Sequence, residues 1–175
     1  MKKQFFTTSL LFLVVLGTSV LFGQTSQIDL TSPLAVDPDV RIGKLDNGLV
    51  YYIRYNKKPE KRVELRLAVN AGSVLEKDEQ QGLAHFMEHM NFNGTKTFPH
   101  NELIDFLQKT GVKFGADINA YTSFDETVYK LQIPTDDSVL LNKGYQVMED
   151  WAHNALLDDK EIDKERGVIV EEWRL

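Results

Sequence analysis

The hydrophobic period of the chain switches from two residues to about 3.6, back to two and again to 3.6, and that order of switches restricts the folds open to it. Asp46-Asn47-Gly48 lies between two β-prone runs in VRIGKLDNGLVYYIRYN, which is hairpin chemistry, because Asn and Gly accept the positive φ of a tight turn. In RVELRLAVNAGS, Val63, Leu65, Leu67 and Val69 alternate with polar neighbours, so a strand with one buried face is expected. Helical spacing follows over 79–93 and again over 99–110, with Pro99 suited to a helix start and Gly111 to a stop. DINAYTSFDETVYKLQIP reads as two further strands joined at 123–125, and helices are expected over 137–153 and from Asp158 onward. Strands, helices, a strand pair and helices in that order imply an α+β fold, a mostly antiparallel sheet packed against helices rather than an alternating βαβ chain.

Composition narrows the functional classes. The 175 residues, 42% hydrophobic and 26% charged, suit a soluble globular domain with one core. The net charge is -6, and setting aside Lys2 and Lys3, the only charges in the first 23 residues, leaves -8. No basic stripe is present to neutralise phosphates, so nucleic acid is not an expected partner, and KKPEKR at 57–62 reads as a solvated turn. Cysteine is absent, which excludes disulfides and thiolate ligands and leaves His, Asp and Glu to bind any metal.

Lys2 and Lys3 precede an apolar run over 10–16, then Gly17, Thr18 and Ser19, the layout of a secretory signal with cleavage expected after Gly23. Thr7, Thr8, Ser9, Thr18 and Ser19 dilute that run below what a transmembrane helix needs, so no stable membrane span is expected after cleavage. No cysteine follows it to carry a diacyl lipid, and a periplasmic or secreted bacterial protein is the resulting expectation. Residues 24–39 read as a linker and 40–175 as the domain; VIVEEWRL ends in full helical pattern, so the chain is expected to be a fragment of a longer protein.

The most informative helix is the one over 80–93. At about 100° per residue, Leu83, Phe86, Met87 and Met90 form one face, expected to meet the core, and His85, Glu88, His89 and Phe92 form the opposite one. His85 and His89 stand one turn apart, so two imidazoles can converge on one ion, as zinc requires of neighbouring ligands. The order His-x-x-Glu-His reverses the His-Glu-x-x-His of zinc enzymes. Turning the helix end for end interconverts them, since in each the glutamate lies about 60° outside one histidine and about one residue's rise from the other. Glu88 on that flank can reach a water on an ion without ligating it, which fits a general base, with His85 and His89 as ligands. The plainer reading is an exposed helix face with two idle histidines, and a third ligand separates the two.

Catalytic zinc keeps three protein ligands and one open position. His100 follows Pro99 in a loop and His153 sits near a helix end, so surface or capping roles are expected for both. In the last helix, Glu172 falls within about 20° of Glu165, with Ile162, Val168 and Ile169 within about 60°, whereas Glu171 lies about 120° away and should face water. A carboxylate inside an apolar stripe needs a metal or a partner, unless the stripe is shallow and both glutamates reach solvent. Periodicity leaves Glu165 and Glu172 as equal candidates, one to ligate and the other to polarise a histidine from behind.

LDNGLVYYI at 45–53, GLAHFMEHMNFNGT at 82–95, NAYTSFDETVY at 119–129 and ERGVIVEEW at 165–173 together resemble the insulinase/pitrilysin metallopeptidases, the inverzincins. The resemblance implies one Zn2+ bound by His85, His89 and Glu172, with Glu88 as general base and Glu165 as a supporting carboxylate. It also implies that Asn119 and Ala120 line an edge strand to which an extended peptide adds. Members of that family cut peptides and unfolded or flexible polypeptides in a chamber built from several similar domains, in one chain or in paired subunits. Two departures stand out: GVKFGADINAYTS is longer than the usual equivalent, and the family's Arg and Tyr from a later domain are lacking, so the fragment alone is expected to bind zinc yet catalyse poorly.

The expected activity is therefore zinc-dependent endopeptidase chemistry, water activated by Glu88 attacking a peptide carbonyl. Two rivals come from other classes. A non-catalytic partner subunit of the same fold would be expected to lose the His-x-x-Glu-His motif, which is present; a zinc hydrolase of a non-peptide amide or ester would not need the edge strand at Asn119.

Overall fold

The computed structural model describes residues 29–174 apart from 101 and 110, so the expected signal segment, the start of the linker and Thr110 lie outside the described residues. The chain divides into two units, 1–54 and 55–175. In the first, β1 (Val40–Lys44) pairs antiparallel with β2 (Val50–Arg54), Val40 opposite Arg54 and Lys44 opposite Val50. Gly48 takes φ 92°, its N–H donating to the Leu45 carbonyl at 2.9 Å, and the Asn47 side chain accepts from the Leu49 N–H at 3.1 Å. The turn chemistry of Asn47-Gly48 thus sets this hairpin's register.

The second unit holds a three-stranded antiparallel sheet of β3 (Arg62–Val69), β4 (Ile118–Thr122) and β5 (Thr127–Pro134), in the order β3-β5-β4. Four helices accompany it: α1 (Leu83–Met90), α2 (Glu102–Lys109), α3 (Ser138–His153) and α4 (Asp159–Trp173). Central β5 supplies Tyr129, Leu131 and Ile133 to a core closed by Leu103 and Leu107 of α2 and by Val147 and Trp151 of α3. Each of these leucines, fully buried, contributes roughly 1.5–3 kcal/mol of transfer free energy. Gly144 lets α3 lie on the sheet, because a Cβ there would come within 2.2 Å of the Ile133 side chain. Asp137 and Asp158 cap α3 and α4, each carboxylate accepting from two N–H groups of the first turn.

Four expectations change. On β3, Val63, Leu65 and Leu67 turn inward, but Val69 is 37% exposed, since the strand ends there and its face is no longer covered. The helix expected over 79–93 begins at Leu83, because Gly82 takes a left-handed φ of 87° and separates it from a short 3-10 turn at Asp78–Gln80. The helix expected from Pro99 starts at Glu102, because His100 takes φ 52°. On α1 only Met90 of the apolar stripe is fully buried; Leu83 is half-exposed, while Glu88 of the opposite face is buried, because β4 and α4 pack on that side. Among the described residues no helix is long and apolar enough to cross a membrane.

The loop after α1 is tied to α3 by a buried carboxylate. Asp150, with 0% exposure, accepts from the Thr95 hydroxyl (2.7 Å), the Thr97 N–H (3.0 Å) and the Asn154 amide (3.0 Å). Burial alone would push this carboxyl up; the Thr95, Asn154 and Thr97 donors outweigh it and hold the group below its ordinary value of 3.8. A lowered folded value means the stabilisation is complete above 3.8 and is lost as pH falls through the folded value. Asp150→Ala is expected to cost about 2–3 kcal/mol at neutral pH in urea unfolding, with a deficit that shrinks under acid conditions.

Candidate metal centre

Helix α1 is fixed at its start by Glu76, whose carboxylate accepts from the Gly82 N–H at 2.8 Å and the Ala84 N–H at 2.7 Å, satisfying first-turn donors that a helix leaves open. One turn in, His85 and His89 turn their Nε2 atoms together, 3.1 Å apart, with rings at 88°. Helix α4 crosses beside them and sets Glu172 Oε2 3.5 Å from each of those nitrogens. Ligands bound at 2.0–2.2 Å with tetrahedral angles must lie roughly 3.3–3.5 Å from one another, so this triangle fits a zinc-sized ion without rearrangement. His85, His89 and Glu172 are the group of this kind found among the described residues. The donor set, two imidazoles and a carboxylate, suits zinc and leaves a fourth position. His85 and Glu172 are about half-exposed and His89 lies deeper, so the open side of the triangle meets solvent beside a hollow lined by Gln81, Ile169, Val170 and Trp173.

Glu165 takes a different place. It is buried, its Oε1 is 2.7 Å from His89 Nδ1, and its Oε2 accepts from the Asn93 amide at 2.7 Å. A carboxylate only accepts, so Nδ1 carries the ring proton and the lone pair of Nε2 faces the triangle. Seven residues, about two turns, separate Glu165 from Glu172, and this lets one helix serve both sides of His89. The stripe on α4 is shallow: Val168 is 40% exposed and Glu172 about half-exposed, and Glu165 alone of the two carboxylates is buried. Glu171 is exposed and pairs with Arg174. His153 is also exposed, its Nδ1 2.9 Å from the Glu149 carbonyl of its own helix, and exposed His100 stands in the loop.

Glu88 is buried between α1 and β4, where the Thr122 hydroxyl donates to its Oε2 at 2.6 Å. Nearby Tyr129 is buried, which pushes its phenol up to about 12, the Asn91 amide opposing and the Glu88 charge adding to the rise. It therefore stays neutral beside Glu88 at physiological pH.

Strand β4 is an edge, paired with β5 and carrying Asn119 opposite Lys130 and Ala120 opposite Tyr129. The bonds Gln132 N–H to Asp117 and Ser123 N–H to Glu126 show that odd-numbered residues of β4 bond toward β5, so Ala120 and Thr122 turn their main-chain groups to the open edge. Asn119 is placed differently from Ala120: its main chain serves the ladder and its side chain accepts the outward Ala120 N–H at 3.0 Å. The long segment before β4 folds over the start of this edge, with Gly115 donating to Ile118 and Ile118 to Lys113.

Three residues escape the sequence reading. Asn93 had a signal, since it continues the i, i+4 row of His85 and His89. Thr122 shares the period-two face of Ala120. Glu76 reaches the start of α1 through a loop and carries no local signal.

The family model of insulinase, peptidase family M16, matches residues 52–174. The chain belongs to the insulinase family of peptidases. A probable zinc protease PqqL of Haemophilus influenzae is 42% identical over 174 residues, 99% of this chain and 18% of that protein. The crystal structure of the periplasmic protease PqqL from Escherichia coli superposes with a TM-score of 0.78 at 45% identity, covering 82% of this chain and 16% of that one. Pitrilysin, also of known structure, gives a TM-score of 0.64 at 29% identity over 77% of this chain and 14% of its own. The chain thus spans less than a fifth of the length of these relatives, and it carries the mixed helix and antiparallel sheet of the insulinase fold.

The geometry separates the two carboxylates experimentally. Glu172→Ala is expected to abolish stoichiometric zinc binding, whereas Glu165→Gln, which keeps the shape but not the charge, weakens it about 10–100-fold. Chelator competition measures both.

Proposed function

We propose that this chain forms the zinc-binding part of an endopeptidase that cuts peptides or unfolded polypeptides. The observation that carries the reading is the triangle of His85, His89 and Glu172 with buried Glu88 on the same helix, beside the open edge of β4. Membership in a peptidase family, and relatives named as zinc proteases, support it.

In this reading His85, His89 and Glu172 hold the ion, and Glu165 keeps His89 in the required tautomer. Zinc bound there supplies Lewis acidity, which makes water easier to deprotonate and a carbonyl easier to attack. An extended substrate adds to β4 through the main chain of Ala120 and Thr122, with the Asn119 amide giving up the Ala120 N–H to the incoming strand. Glu88 takes a proton from the attacking water as its oxygen bonds to the peptide carbon. It then delivers that proton to the amide nitrogen as the C–N bond breaks, giving a carboxylate and an amine. Burial of Glu88 beside β4 brings the base close to the substrate strand.

Further domains of the same fold, in one chain or in a paired subunit, would close a chamber around the peptide. We also propose export to the periplasm or outside the cell, with 1–23 as a cleaved signal, 24–39 as a linker and 40–175 as the catalytic domain. The lysines and apolar run at the N-terminus support this, and the Escherichia coli relative is described as periplasmic.

Glu88→Gln is expected to lower hydrolysis of an unstructured peptide by the full-length zinc-loaded protein by about 10²–10⁴-fold while zinc content stays stoichiometric. Equal rates at equal zinc content would remove Glu88 from the role of base.

A further inference from the structure

Thr122 meets two parts of the proposed site at once. Its main chain stands at an outward position of the β4 ladder, next to Ala120 and beyond the stretch covered by Lys113 and Gly115. Its side chain points the other way, to α1, where the hydroxyl donates to Glu88 Oε2 at 2.6 Å.

The direction of that hydrogen bond is fixed by a neighbour. Thr127, opposite Thr122 in the ladder and buried, gives its own proton to the Ala71 carbonyl at 2.9 Å, and a carbonyl can only accept. The two hydroxyl oxygens lie 3.4 Å apart. Thr127 therefore has no proton left to give Thr122, and the single proton of Thr122 goes to the closer acceptor, the Glu88 carboxylate. The bond distinguishes the two oxygens of Glu88, Oε2 being the one held by the Thr122 hydroxyl.

We propose that Thr122 is a positioning residue that couples substrate addition to the general base. A peptide that adds to the edge pairs with the main chain of Ala120 and Thr122. Pairing narrows the backbone freedom of Thr122, and through Cβ it narrows the position of the hydroxyl that holds Glu88. The base is then best oriented when the edge is occupied, so binding energy from substrate residues remote from the cleaved bond acts on the rate rather than on affinity alone. This inference rests on the peptidase reading and on Glu88 as its base.

The test uses the full-length zinc-loaded protein, with wild type, Glu88→Gln, Thr122→Val and Thr122→Ser compared on a long unstructured peptide and on a blocked dipeptide too short to span the edge. Valine keeps the shape and strand propensity of threonine and removes the donor; serine restores the donor. Thr122→Val is expected to lower kcat on the long peptide about 10–100-fold with KM changed less than about twofold. Thr122→Ser should recover most of the loss, and the loss should be several-fold smaller on the dipeptide. Zinc affinity by chelator competition should match wild type in both variants, whereas Thr122→Val, which takes this donor from buried Glu88, lowers the thermal midpoint by a few degrees that Thr122→Ser restores.

Wild-type kcat in Thr122→Val, a loss that serine does not restore, or an equal loss on both substrates would overturn the coupling. A change in zinc affinity parallel to the loss of rate would also overturn it, since Thr122 would then act on the metal ligands. Absence of hydrolysis by wild type, or equal rates for wild type and Glu88→Gln, would instead overturn the reading on which the coupling rests.

Discussion

The contact between His89 and Glu165 organises the site. It joins α1 to α4, two helices whose facing residues are 76 positions apart in the chain, through a bond of 2.7 Å between a ring nitrogen and a buried carboxylate. A buried carboxylate without donors would be strongly unfavourable, and here Glu165 meets the His89 ring on one oxygen and the Asn93 amide on the other. Those contacts fix the rotation of α4 about its axis. Once Glu165 is set behind His89, Glu172 two turns later stands in front of it, and the three candidate donor atoms form their triangle.

Other constraints converge on α1. Glu76 holds its first turn, the buried Asp150 network anchors the loop that follows, and Asn91 ties its end to Tyr129 and Trp151. All three are polar; Asn91 and Asp150 are buried away from water, and Glu76 is partly exposed. The helix that carries the histidines is thus held by directional bonds at both ends, and its apolar face contributes only Met90 to the fully buried core. Directional bonds of this kind favour a fixed geometry, which a site that orients two imidazoles needs more than it needs buried area.

The edge of β4 gives the second half of the arrangement. Its ladder to β5 assigns Ala120 and Thr122 outward main chains, and the segment before β4 covers Ile118, so the open stretch is short and lies beside Glu88. In the proposed peptidase the substrate strand and the base thereby meet at one residue, Thr122.

Much of this was legible in the residues. The turn at Asn47-Gly48, the alternation in β3, the helices expected over 137–153 and from Asp158, and the one-turn spacing of His85 and His89 are local patterns, and local patterns follow from backbone geometry that neighbouring residues set. The wheel of α4 likewise placed Glu165 and Glu172 on one face and Glu171 on another. Which glutamate stands behind a histidine and which in front depends on where α4 crosses α1, and no periodicity within α4 encodes that crossing. The burial of Glu88 and the half-exposure of Leu83 have the same origin, since β4 and α4 arrive from distant sequence and cover the polar face of α1. The sequence determined the elements and the chemistry of the donors because both are properties of short segments; the tertiary structure decided which donors meet, because that is set by the packing of segments far apart in the chain.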